Sequence, residues 1–368
     1  MLKVCSSEAK SKMKNKGVKL LAAAMVLAVA LAGFVLIIDD SSASETIAVT
    51  VYVGGSDSKD DSTDGRGLSA DKPFATIAYA LNETYKKTNS VILEIKGDVE
   101  GDGWSNPSGK NLTINFNGFT FNMTGKLVGS SGYESQVFQL LKDSNVTFNG
   151  GTITTEVKGA AMIIQNYSNL TLNDMVIDGT KMTRPGTYAV SLNNGSISVV
   201  GKTTIKAADT TNSVAFDAFW SGGNYDDGAN VVVNSTGDII GDIEVADNGV
   251  GDSKTRLEIQ NANIDGDIVY TATKGTGVII GNGVDVDVII PAGTTASGFV
   301  EFEGAEGTSD KVIFTNLGAS SDVTFSKGSV RISGTINATQ DVTLSADGTV
   351  KLNGLSVTGD NHDFRTLL

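Results

Sequence analysis

The chain has 368 residues with 43 Gly, 4 Pro and a single Cys, and its formal net charge is -14. Six Lys and one Glu make residues 1–38 locally basic (+5), which leaves -19 on residues 39–368. A body so acidic repels phosphate backbones and speaks against nucleic acid as a partner; with Cys5 and His362 the only residues of their kinds, an internal disulfide framework and a Cys/His zinc centre are excluded.

The Lys-rich stretch SKMKNKGVK leads into LLAAAMVLAVALAGFVLII (residues 20–38), 19 apolar residues without a charge, and then into Asp39, Asp40 and SSASE. A basic flank, an apolar run and small residues at Ser41-Ser42-Ala43 describe a secretory signal. The run exceeds the ~7–15 residues usual for a cleaved signal and approaches the ~20 that span a bilayer. Residues 1–43 therefore read either as a cleaved signal peptide or as an N-terminal membrane anchor. In both cases the Lys side stays cytoplasmic and everything after Asp39 is exported, which predicts an extracellular or cell-surface protein.

Residues 44–90 open the exported part. IAVTVYV (residues 47–53) reads as a strand, and GGSDSKDDSTDGRGLSADK as a polar loop. The period then changes. Phe74, Ile77, Ala78, Leu81 and Tyr85 form the apolar stripe of an amphipathic helix over residues 74–87. Pro73 suits its first turn, and Asp71 is placed to cap it.

Over residues 91–368 the period is two. NLTINFNG (residues 111–118), NVTFNGG (145–151) and NLTLND (169–174) repeat one pattern, in which Leu112, Ile114 and Phe116 point one way and Thr113, Asn115 and Asn117 the other. The alternation continues through SISVV, NVVVN, RLEIQ, GVIIG, KVIFT, SVRIS and DVTLS. With Thr113, Thr147, Thr171, Ser198, Val232, Glu258 and Ile279 as markers, the intervals are 34, 24, 27, 34, 26 and 21 residues. Such variable intervals predict a solenoid of short strands stacked ~4.8 Å apart, with loops free to differ in length. Asn and Gly suit its corners, and stacked Asn side chains can hydrogen-bond along the pile. The helix is expected to cap one end of the solenoid, and either the tail GDNHDFRTLL or another molecule the other, since open strand edges need cover.

Residues 51–81 add a family resemblance. Asp60, Asp61, Asp64, Gly65, Ser69, Pro73, Phe74, Thr76 and Ile77 match a D-x-x-x-D-G-x-S-x-x-x-P-F-x-T-I pattern, with Arg66-Gly67 lengthening the spacing. In this the chain resembles the N-terminal part of right-handed parallel β-helix proteins of the pectin-lyase-like type. With its export signal it is similar to adhesin-like surface proteins. The resemblance implies an all-β, right-handed parallel β-helix with an N-terminal capping helix. It says little about activity.

Lyases and hydrolases on that fold gather acids with Lys, Arg or His on adjacent coils, and here the raw material is sparse. His362 lies in the tail, and the exported part has five arginines. Asp174, Asp178 and Arg184 are the candidate catalytic cluster, against a plain reading as polar loop and turn. Asp242, Asp267 and Asp287 are spaced about one coil apart, so stacked carboxylates there would either bind Ca²⁺ or splay into water. FDAFWSGGNYDDG (residues 216–228) sets aromatic faces beside carboxylates, and Trp220, Tyr225, Asp226 and Asp227 are the candidate sugar-binding residues. Nine sequons, at Asn82, Asn111, Asn122, Asn145, Asn166, Asn169, Asn194, Asn234 and Asn337, are candidate glycosylation sites. The expectation is a non-catalytic, adhesin-like surface protein that attaches to carbohydrate or to another cell-surface protein. It would need no cofactor unless Ca²⁺ binds. The alternative is an extracellular polysaccharide lyase or glycoside hydrolase.

Overall fold

The computed structural model describes residues 48–63, 65–222, 225, 228–248, 255–272, 276–281 and 284–290, and after them the strands at 298–302, 311–317, 323–325, 329–337, 342–345, 350–358 and 364–367. The apolar run at residues 20–38 lies outside them. Among the described residues no helix is long and apolar enough to cross a membrane.

The sequence repeats one edge because strands far apart in the chain lie side by side in parallel. The first sheet contains Ala48–Val53, Ser90–Ile95, Asn111–Asn115, Asn145–Thr155, Asn169–Asp178, Gly195–Gly201, Ala229–Ile240, Thr255–Asp265, Thr276–Ile280 and Gly298–Phe302, each paired with the next. The second contains Trp104–Asn106, Gln136–Leu140, Met162–Asn166, Tyr188–Leu192, Val214–Trp220, Ile243–Asp247, Ile268–Tyr270 and Asp287–Ile290, and continues to Val350–Thr358. From Trp104 to Phe302 the chain alternates between the two sheets. The fold is all-β with parallel sheets, and this connectivity is compatible with a solenoid.

Register makes the repeat concrete. Thr113 pairs with Thr147, Thr147 with Thr171, Thr171 with Ser198, Ser198 with Val232, Val232 with Glu258 and Glu258 with Ile279. These are the seven markers of the sequence reading, in one unbroken row, and the unequal intervals are absorbed between strands. KVIFT and SVRIS depart from it: they lie in the second sheet, and DVTLS lies in a separate three-stranded sheet. In that sheet the tail strand Phe364–Leu367 pairs with Val342–Ser345, so the tail joins a sheet by its backbone.

The core lies between the sheets. Val146, Phe148, Leu170, Leu172, Ile197 and Val199 of the first and Phe138, Ile164, Val190 and Phe216 of the second are all at most 2% exposed. Phe138 joins the two faces, its ring centroid 5.1 Å from that of Phe148, which in turn meets Phe116 edge-on at 6.0 Å. Outside the core, amides stack as the composition predicts. Asn173 donates to Asn149 (3.3 Å), Asn149 to Asn115 (2.9 Å) and Asn115 to Glu94 (2.6 Å). A parallel row joins Asn169, Asn145 and Asn111. At the corners Asn117 and Asp174 take left-handed backbone (φ 55 for both), a conformation that Asn and Asp tolerate better than most residues.

The helix is shorter than its apolar stripe, at Ile77–Thr84, and Thr76 caps it by accepting from Tyr79 N (3.3 Å). Neither Asp71 nor Pro73 belongs to it. Phe74 is held extended, because its N–H bonds Tyr52 O (2.9 Å) and it bridges Val53. Asp60 then ties the turn together, accepting from Ala75 N, Thr76 N and the Thr76 hydroxyl.

Candidate binding surface on the second sheet

Strand alternation puts Phe138, Ile164, Val190 and Phe216 in the core, so the residues that follow them face away from it. Those residues are Gln139, Gln165, Ser191 and Asp217, and they share one register row with Ser105 before them and Glu244 after. From Ser105 to Asp217 the row is linked by hydrogen bonds, passing through Asn193 at one step. Ser105 Oγ donates to Gln139 (3.1 Å), Gln139 to Gln165 (3.0 Å) and Gln165 to Asn193 (3.1 Å). Asn193 donates to Ser191 (3.4 Å), whose hydroxyl donates to Asp217 (3.2 Å).

Asp217 ends the run of amides and is 7% exposed. Its other oxygen accepts from Leu192 N (2.7 Å). Burial, aided by the charge of Glu244 on the next strand and opposed by those two bonds, pushes its carboxyl up to about 8. At neutral pH it is therefore mostly uncharged. The Tyr188 hydroxyl donates to Glu244 (3.1 Å), and burial followed by the charges of Glu244 and Asp217 raises its titration.

Aromatic side chains adjoin the row. The rings of Tyr167 and Tyr225 stack at 5.0 Å with 29° between planes. The Trp220 indole N–H donates to Tyr225 O (2.7 Å), which fixes the loop against the strand that carries Asp217. All three residues are half-buried, and Trp220 packs partly against the core. Burial raises the Tyr167 hydroxyl, with Tyr225 and Asp217 adding to it. Neutral amides beside half-buried aromatic residues suit hydroxyl-rich ligands with apolar ring faces, the chemistry of a sugar.

Asp174 and Asp178 lie on a strand of the first sheet, apart from this surface. Asp174 accepts from Lys202 N (2.8 Å), Asp178 binds Thr180 N and Oγ1 within its own turn, and Arg184 is exposed with its backbone oxygen bonded to Thr210. Each acid serves a turn, and the three make no shared cluster by these contacts. Asp242, Asp267 and Asp287 each directly precede the mutually paired Ile243, Ile268 and Val288, so they do fall in register. The carboxylate of Asp242 accepts from Asp267 N (3.0 Å); the side chain of Asp287 lies outside the described residues, as do Asp226 and Asp227. Among the described residues no three His, Cys, Asp or Glu converge as a metal site. Of the sequons, Asn82, Asn145, Asn169 and Asn234 are exposed, Asn111 and Asn122 half-buried, and Asn166 and Asn194 buried; the side chain of Asn337 is outside the described residues.

Tyr167, Tyr188, Gln139, Gln165 and Glu244 were not singled out by the sequence reading. A signal was present: Gln139 and Gln165 stand 26 residues apart, as do Ser191 and Asp217. No family model, no curated protein and no solved structure matches the chain.

Proposed function

We propose that this is an exported, non-catalytic attachment protein, a right-handed parallel β-helix of adhesin-like character that holds carbohydrate on the outer face of its second sheet. The supporting observation is the stacked Tyr167–Tyr225 pair beside Trp220 at the end of an amide row. Handedness follows from the rule that parallel crossovers are almost always right-handed. Export rests on the basic and apolar N-terminal sequence, and a cell-surface setting brings glycans within reach.

A glycoside hydrolase is the second reading, favoured by one observation. Burial raises the Asp217 carboxyl to about 8, Glu244 is its register partner one strand away, and a pair of carboxyl groups is what such enzymes use. Enclosure argues against it, because a carboxyl 7% exposed is shielded from a glycosidic oxygen. The test is a glycan array probed with the full chain with and without Ca²⁺, followed by a reducing-end assay on every retained glycan. Retention without new reducing ends is expected. In Tyr225→Ala, retention should fall about tenfold, which is ~1.4 kcal/mol. Release of reducing ends would favour the enzyme, and an empty array would remove both readings.

A further inference from the structure

A half-open cleft of about 740 Å³ lies between the helix Ile77–Thr84 and the strand Trp104–Asn106. That falls within the ~300–1,000 Å³ typical of small-ligand sites. Tyr79 and Trp104 line it with aromatic surface, and Asn82, Asp102, Ser105 and Lys126 with polar groups. Ser105 also begins the amide row, so the cleft shares this residue with the surface described above.

The walls are held before any ligand arrives. Trp104 stacks on Tyr85 (6.3 Å, 21° between planes), and the Tyr85 hydroxyl bonds the Asn106 side chain (2.9 Å). The Trp104 indole N–H is buried without an acceptor, so this residue offers its ring rather than a hydrogen bond. Tyr79 sits edge-on against Phe74 at 5.4 Å. Asp102 is seated by Lys126 N (2.8 Å), and a Cβ at Gly125 would collide with the same carboxylate oxygen, which accounts for the glycine. Fixed partners of this kind lower the ordering cost of binding.

We propose that this cleft is a second saccharide site, taking one neutral pyranose-sized unit with its apolar face against Trp104. The inference rests on the carbohydrate reading above. Hydroxyls can donate to Asp102 and accept from Lys126 and Asn82, which are both exposed. An anionic sugar would meet two carboxylates, Asp60 and Asp102, against one ammonium.

Because the chain has two tryptophans, Trp104 and Trp220, their emission separates the two sites. Full-length Trp220→Phe reports the cleft alone, and full-length Trp104→Phe reports the tyrosine patch alone. Each is titrated with cellotetraose, xylotetraose, mannotetraose and tetragalacturonate. The expected result is a saturable change of Trp104 emission with at least one neutral tetrasaccharide and none with tetragalacturonate. Adding Lys126→Ala, an exposed change that leaves the packed walls alone, should raise the midpoint about tenfold. A response from Trp220 without one from Trp104 would overturn the cleft proposal and leave the carbohydrate reading standing. A response to tetragalacturonate alone would overturn the neutral class. Silence from both indoles, with no glycan retained on the array, would overturn the two readings together.

Discussion

The two sheets use the same stacking device and end it differently. On the first, an asparagine row runs down to Glu94, whose two oxygens accept from Asn115 and Asn117 (2.6 and 3.0 Å), so the charge is met by amide donors at the protein surface. On the second, the amide row runs into Asp217, which is buried beside another acid and pushed up to about 8. An amide ladder is self-satisfying, since each rung donates to one neighbour and accepts from the other. A buried carboxyl beside a second acid is costly when ionised. The first arrangement only holds strands together, whereas the second marks a place where the fold gives up stability beside half-buried aromatic residues.

The comparison can be broken most severely at the joint between the sheets. Phe148→Ala removes the ring that meets both Phe116 and Phe138, and should cost about 3–5 kcal/mol. The melting temperature should fall by roughly 10 °C, and as a single transition if the sheets depend on each other.

The next largest effect is pH dependence at Asp217. Its folded carboxyl titrates at about 8 against 3.8 for the unperturbed group, so the folded state binds the proton more tightly than the unfolded chain. Stability from this group is greatest below pH ~4, declines as pH rises to about 8 and stays low above it. Thermal melts between pH 5 and 9 should show this decline in the parent and lose it in Asp217→Asn, the variant being the more stable above pH 8.

Smaller effects sharpen the contrast between the rows. Asn149→Ala breaks two amide contacts on the first sheet and should cost about 1–2 kcal/mol in urea unfolding, leaving glycan retention unchanged. Gln165→Ala on the second sheet should cost a similar amount and also weaken retention. Arg184→Ala, at an exposed loop position, should stay within about 0.5 kcal/mol and leave retention as it was.

The contrast also explains what could be read from the sequence. First-sheet strands such as Asn111–Asn115 and Asn145–Thr155 begin with clean alternation, because one face meets the core and the other meets water. The expected register row and Asn stacking follow from that. Several second-sheet strands blur that pattern. In Gln136–Leu140 three consecutive residues are buried, and in Tyr188–Leu192 four are, so the period of two is hidden where part of the outer face is also covered. Trp220 and Tyr225 were visible as an aromatic cluster. Tyr167, which stacks on Tyr225, stands 58 positions earlier in the sequence and comes near only through the stacking of strands. The helix was legible, but its start was not, because the bridge between Phe74 and Val53 is a tertiary contact that overrides a good local stripe.

The most direct test is a set of electron paramagnetic resonance distances along the first-sheet row. In a Cys5→Ser background, which leaves no native thiol, spin labels at Thr113 are paired in turn with labels at Thr171, Ser198, Val232 and Glu258. If the strands stack in parallel about one axis, the mean distance rises at each step by ~4.8 Å, in that order. Distances that fail to rise with each successive partner would contradict the stack, and with it the surface proposed to hold the glycan.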